Sequence, residues 1–143
     1  MITVLPGTQY VETPPYQLPE RVAAFLATYI ASAAELQLLV ALIDGPDRWW
    51  DSVSASREIG LPVSLMSGML DRFAKANLLD IRVTDAVRYR LRPGTPELEQ
   101  DLAGLREAWR FHPAAVMQVV AQSARRSIRD FADAFRFKRD GSS

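Results

Sequence analysis

Apolar residues and arginines alternate through Ile81-Arg82-Val83 and again through Val87-Arg88-Tyr89-Arg90-Leu91-Arg92, on either side of Thr84-Asp85-Ala86. Successive side chains of an extended strand point to opposite faces. The pattern therefore predicts a hairpin with Ile81, Val83, Val87, Tyr89 and Leu91 on a core face. Arg82, Arg88, Arg90 and Arg92 stand together on the other.

Helical periodicity dominates the rest. Pro19 suits the first position of a helix whose apolar stripe is Val22, Phe25, Leu26, Tyr29 and Ile30. Ser32-Ala33-Ala34-Glu35 has the form of a capping box, so a second helix begins at Ser32, either kinked from the first or continuous with it. Its Leu36, Leu39, Val40, Leu42 and Ile43 cover most of the circumference, which implies deep burial, and Asp44-Gly45-Pro46 stops it. Trp49 and Trp50 form a short strand or a buried hinge, and both, like Trp109, read as core anchors. Asp51 or Ser52 caps a short helix to Ile59, ended by Gly60.

A third helix runs from Val63 to about Asn77. Met66, Met69, Leu70 and Phe73 face inward, while Ser64, Ser67, Gly68, Asp71 and Lys75 line the opposite face, with Arg72 at its edge. After the hairpin, Thr95 caps a helix with the stripe Leu98, Leu102, Leu105 and Trp109. Pro113 opens a last stretch with Val116, Met117, Val120, Ala124, Ile128, Phe131 and Phe135 on one side. The fold class is mainly α with one small β-hairpin.

The balance of charge and chemistry narrows the function. Seventeen basic and seventeen acidic residues cancel over 143 residues, but unevenly: residues 1–60 carry −4, residues 61–100 carry +1 and residues 101–143 carry +3. The chain thus lacks the domain-wide basic excess usual in nucleic-acid binders, and any positive field must be local. With no cysteine and only His112, neither a thiolate metal site nor a Cys–His pair is possible. There is no Gly-x-Ser-x-Gly elbow and no phosphate-cradling glycine loop. No enzyme activity, cofactor or metal is expected. The longest apolar stretch, Leu36 to Ile43 and interrupted by Gln37, falls far short of the ~20 residues that span a bilayer. A cytoplasmic protein without membrane contact is the expectation.

The order helix, short helix, turn, third helix and arginine-bearing hairpin resembles the DNA-binding domain of small bacterial winged helix-turn-helix regulators, MarR-like in the broad sense. The residues that carry the likeness are Leu36 to Ile43, Ser52 to Gly60, Val63 to Leu79 and Arg82 to Arg92. Ala76-Asn77-Leu78-Leu79 resembles the usual entry to the wing. The resemblance implies a winged helix-turn-helix domain over residues 19–94, preceded by an extended arm over 1–18. C-terminal helices over 95–139 would join the same globular unit and pair two copies, leaving a disordered tail at 140–143.

It also implies a DNA-binding transcriptional regulator of duplex DNA. The helix at 63–77 would enter the major groove, with Ser64 and Ser67 at base edges or phosphates and Arg72 and Lys75 at phosphates. Arg82, Arg88, Arg90 and Arg92 would follow the adjacent backbone or dip into the minor groove. Two residues oppose this: Asp71 on the reading face and Gly68 in mid-helix, where glycine costs about 1 kcal/mol relative to alanine. Both suit the alternative, a protein-interaction module on the same scaffold. Arginines that alternate on a hairpin also suit a solvated face guarding a sheet edge. The basic run Arg125, Arg126, Arg129, Arg136, Lys138 and Arg139, interleaved with Asp130 and Asp133, reads as a solvated helix surface.

Overall fold

The computed structural model describes residues 16–126; residues 1–15 of the arm expected over 1–18, the apolar positions Ile128, Phe131 and Phe135, the end of the basic run and the tail lie outside them. Six helices and one two-stranded antiparallel sheet make up the described residues: α1 (Glu20–Tyr29), α2 (Ala33–Asp44), α3 (Ser52–Ile59), α4 (Val63–Lys75), β1 (Leu79–Val83), β2 (Val87–Leu91), α5 (Pro96–Phe111) and α6, helical over 113–126. This is the winged helix-turn-helix order, flanked by helices at both ends.

The first two helices are separate, meeting at 115°. Ser32 Oγ accepts the Glu35 N–H at 3.2 Å, one half of the expected capping box. The other half differs. Glu35 accepts the N–H of Ala31 rather than that of Ser32, at 3.1 Å, and so ties the end of the α1–α2 link to the first turn of α2. A complete reciprocal box begins α3, where Asp51 accepts from Ser54 N–H at 2.7 Å and Ser54 Oγ accepts from Asp51 N–H at 3.1 Å. Gly60 closes α3 in the left-handed region at φ 82°, which a side chain would strain.

The end of α4 launches the hairpin. Asn77 adopts φ 68°, Leu78 N–H bonds the Phe73 carbonyl and Asn77 N–H bonds that of Ala74, the two bonds of a Schellman stop. The helix therefore ends at Lys75, two residues earlier than its periodicity suggests. Leu78 and Phe73, both buried, supply the apolar contact that accompanies this stop.

A core of buried side chains unites Val22, Phe25 and Leu26 of α1, Leu36, Leu38, Leu39, Leu42 and Ile43 of α2, Met66, Met69, Leu70 and Phe73 of α4, and Leu98, Leu102 and Leu105 of α5. Val116 and Val120 of α6 join it. Helices α1 and α5 come close where Gly104 faces Val22; a Cβ at Gly104 would lie 3.0 Å from the Val22 side chain. Arg21 strengthens that seam through Asp101 at 2.5 Å and the Glu97 carbonyl at 3.1 Å. Among the described residues no single helix is long and apolar enough to cross a membrane.

Candidate nucleic-acid interface

The helix α4 turns Met66, Met69, Leu70 and Phe73 into the core, which leaves Ser64, Gly68, Asp71 and Lys75 along its outer ridge by their spacing of three and four. Ser67 flanks that ridge on one side, Leu65 and Arg72 on the other. Ser64, Ser67 and Gly68 are exposed, and a Cβ built on Gly68 would meet nothing within 4 Å. The glycine therefore serves no internal packing. The N-terminal half of the ridge carries only short side chains, while Lys75 and Asp71 at its other end pair at 3.2 Å.

Arg72 has a definite internal partner. Its Nη2 lies 2.8 Å from Oε2 of Glu35, the buried polar residue of the core, whose other oxygen takes the Ala31 N–H. The guanidinium thus supplies the charge that a buried carboxylate requires. Its side chain is still mostly exposed, so part of its five-donor fork remains at the surface.

In the hairpin, Leu79 pairs with Leu91, Asp80 with Arg90, Ile81 with Tyr89, Arg82 with Arg88 and Val83 with Val87. This register sets Arg82, Arg88 and Arg90 on one face with Asp80, and Arg92 follows in parity. The opposite face carries Leu79 and Tyr89 into the core. Burial first, then the charge of Asp71, push the Tyr89 hydroxyl above its ordinary pKa. The arginine face is therefore turned away from the core.

One expectation fails here. Ile81, Val83 and Val87 share the apolar face with Tyr89 but are 50%, 70% and 44% exposed. Parity assigns them a face, but the hairpin extends past the helices, and nothing among the described residues covers that face near the turn.

The arginine face contains a residue that periodicity alone did not assign to it. Trp50 forms a bridge to Tyr89, with reciprocal backbone bonds of 2.7 Å, and is 1% exposed; its Nε1 has no hydrogen-bond partner among the described residues. Trp49, the preceding residue, points the other way and is half-buried. The guanidinium carbons of Arg82 and Arg90 lie 4.3 and 4.6 Å from its ring centre, so Trp49 is a platform for the wing arginines as well as a packed side chain. Two adjacent residues of an extended segment cannot both point into one core, and that parity was the available signal.

Carboxylates temper the positive field. Arg88 lies 3.2 Å from Asp85, and Arg90 and Arg92 each lie 3.4 Å from Asp80. Hydrogen bonding from Thr84, then from the turn backbone, together with Arg88, holds the Asp85 carboxyl below its ordinary pKa. The turn therefore carries a fixed negative charge at its tip. Arg82 has no carboxylate partner among the described residues. The remaining tryptophan, Trp109, is half-buried against the core, and His112 ends α5 with its ring stacked on Tyr16 at 3.4 Å between centroids.

No family model matches the chain, and no curated protein matches it. Several solved structures are similar to it. Reduced HlyU from Vibrio cholerae is 22% identical over 64% of this chain and 88% of its own, with a TM-score of 0.47. A possible transcriptional regulator from Methanosarcina mazei is 16% identical, covering 80% of this chain and 86% of that one, with a TM-score of 0.45. The heme sensor protein PefR from Streptococcus agalactiae, in complex with heme, is 16% identical over 89% and 84% of the two chains, with a TM-score of 0.46. The winged-helix architecture of this chain stands on its own element order and sheet register.

Proposed function

We propose that the chain is a DNA-binding transcriptional regulator of winged-helix type. The observation that carries the reading is the pairing of an open, short-chained ridge on α4 with four arginines gathered on one wing face. Short side chains at Ser64, Ser67 and Gly68 let the helix backbone approach the floor of a major groove closely, with the serine hydroxyls at base edges or phosphates. Lys75, and the surface donors of Arg72, reach phosphates beside it. Arg82, Arg88, Arg90 and Arg92 engage the neighbouring backbone, Trp49 holding two of them in place. A single carboxylate oxygen at 3.4 Å occupies little of a guanidinium's donor capacity. With few long polar side chains on the ridge, binding relies more on phosphates and DNA shape than on base identity.

A cytoplasmic homodimer is part of this reading, joined through the terminal helices, where Phe111 and Met117 are exposed. It would set two copies of α4 about one helical turn apart on DNA. Titration of labelled duplex at several salt concentrations tests the proposal. Affinity falls steeply with salt, because each neutralised phosphate releases counterions. Replacing Arg88 and Arg90 with Ala lowers the slope of log affinity against log salt by about 0.9 per lost phosphate contact; an unchanged slope removes the wing from the mechanism.

A second reading is favoured by one observation: Arg72, Lys75, Arg88, Arg90 and Arg92 each have a carboxylate within 3.4 Å. Such internal neutralisation suits a protein-interaction module on a winged-helix scaffold. Partners that survive nuclease treatment in a pull-down, combined with salt-independent duplex titrations, would select it.

A further inference from the structure

The outer edge of β1 is open. Because Tyr89 exchanges both its backbone bonds with Trp50, its N–H and C=O turn away from β1. Alternation along an antiparallel ladder then points the backbone groups of Arg88 and Arg90 toward β1, and those of Asp80 and Arg82 back toward β2. Leu79, Ile81 and Val83 accordingly direct theirs outward, where no strand among the described residues meets them. Such an edge is a template for another strand.

The edge is complementary to itself. It reads Leu79-Asp80-Ile81-Arg82-Val83, with an acid and a base placed symmetrically about Ile81. Laid antiparallel against a second copy, with Ile81 opposite Ile81, each Asp80 faces an Arg82 and each Leu79 a Val83. The neighbouring registers that preserve the faces set Asp80 on Asp80 or Arg82 on Arg82, and like charges directly opposite are unfavourable. Arg82 is also the wing arginine left without a carboxylate among the described residues, and Ile81 and Val83 are the exposed apolar residues of this edge.

We infer that β1 pairs with β1 of a second copy of this chain, joining two wings into a four-stranded sheet with one continuous arginine face. Both copies then supply Asp80 to the other's Arg82, and Ile81 meets its counterpart on the two-fold axis. A contact of five residues per copy is small, so the pairing is weak and concentration-dependent. It is independent of DNA binding and separate from pairing through the terminal helices.

The absence of native cysteine makes single-thiol cross-linking a direct test. Opposed residues of a hydrogen-bonded antiparallel pair have Cα atoms about 5.5 Å apart, within disulfide reach. Under mild oxidation Ile81→Cys forms a disulfide dimer at least tenfold faster than Val87→Cys. Val87 is 44% exposed on the same face. It lies on β2, and in the paired sheet the two copies of it are three strand spacings apart and offset four residues along the strands, roughly 20 Å in all and beyond disulfide reach. Arg82→Glu in the Ile81→Cys background slows cross-linking roughly tenfold, by setting like charges opposite Asp80 twice. Adding Asp80→Lys restores the rate. Sedimentation of the unaltered chain shows average mass rising with concentration. Equal rates at positions 81 and 87, cross-linking confined to Phe111→Cys, or indifference to Arg82→Glu would each overturn the proposal, whatever the duplex titrations show.

Discussion

Helix α4 and the wing meet the solvent with opposite chemistries. The ridge of α4 is short and nearly neutral: Ser64, Gly68 and an Asp71–Lys75 pair. The wing's outer face is long-chained and cationic, supported by an aromatic ring. Their internal ties differ as well. Arg72 anchors α4 through a buried carboxylate, whereas the wing arginines are held by Trp49 and by carboxylates that are themselves partly or fully exposed. Exposed ion pairs contribute 0–1 kcal/mol and yield readily to a competing anion, but a buried carboxylate does not release its cation so easily. The wing is thus the adaptable, charged half of the candidate interface, and α4 the shaped, rigid half.

Substitutions at the root of each half break this comparison most severely. Trp50→Ala removes a fully buried ring and the side chain beneath the wing's bridge to the body; a loss of about 3–5 kcal/mol is expected in chemical denaturation. Arg72→Ala leaves Glu35 buried without its cation. A cost of about 2 kcal/mol is expected, well below that of a fully buried pair because Arg72 is mostly exposed. Unchanged stability with weakened duplex binding would instead make Arg72 a pure phosphate contact.

Smaller changes sharpen the contrast. Asp51→Ala removes the cap of α3, at about 1 kcal/mol. The Ser54 backbone N–H, foremost, holds the Asp51 carboxyl below its ordinary 3.8. Its contribution is therefore complete above that value and is lost as pH falls through the lower folded pKa, which acid titration of wild type against Asp51→Ala will show. Trp49→Ala costs about 1 kcal/mol in stability through the lost stacking of Arg82 and Arg90, and lowers the salt slope of duplex binding. Gly68→Ala acts in the other direction. Nothing crowds a Cβ there, so the fold gains about 0.5–1 kcal/mol. A simultaneous loss of duplex affinity would mark the ridge as the surface in the groove, and unchanged affinity would leave binding to the wing.

Much of this was legible in the chain. The alternation from Ile81 to Arg92 specified which side chains share a face, and the register agrees for Arg82, Arg88 and Arg90, with Arg92 just beyond the end of β2. Ser32, Asp51 and Thr95 each cap a helix as residue type predicts. The Arg72–Glu35 tie was hidden, because the two residues are far apart in sequence and Glu35 had a plausible local partner. The position of Trp49 was legible only by applying strand parity to a two-residue segment too short to announce itself as a strand.

Sequence alone determined periodicity, capping and the two-faced hairpin, since each depends on backbone geometry over a few neighbouring residues. Tertiary structure alone decided what covers each face. It left Ile81, Val83 and Val87 exposed, brought Arg72 to a buried carboxylate and placed Trp49 beneath two guanidinium groups. Burial and ion pairing depend on which distant element arrives, and no local pattern encodes that arrival.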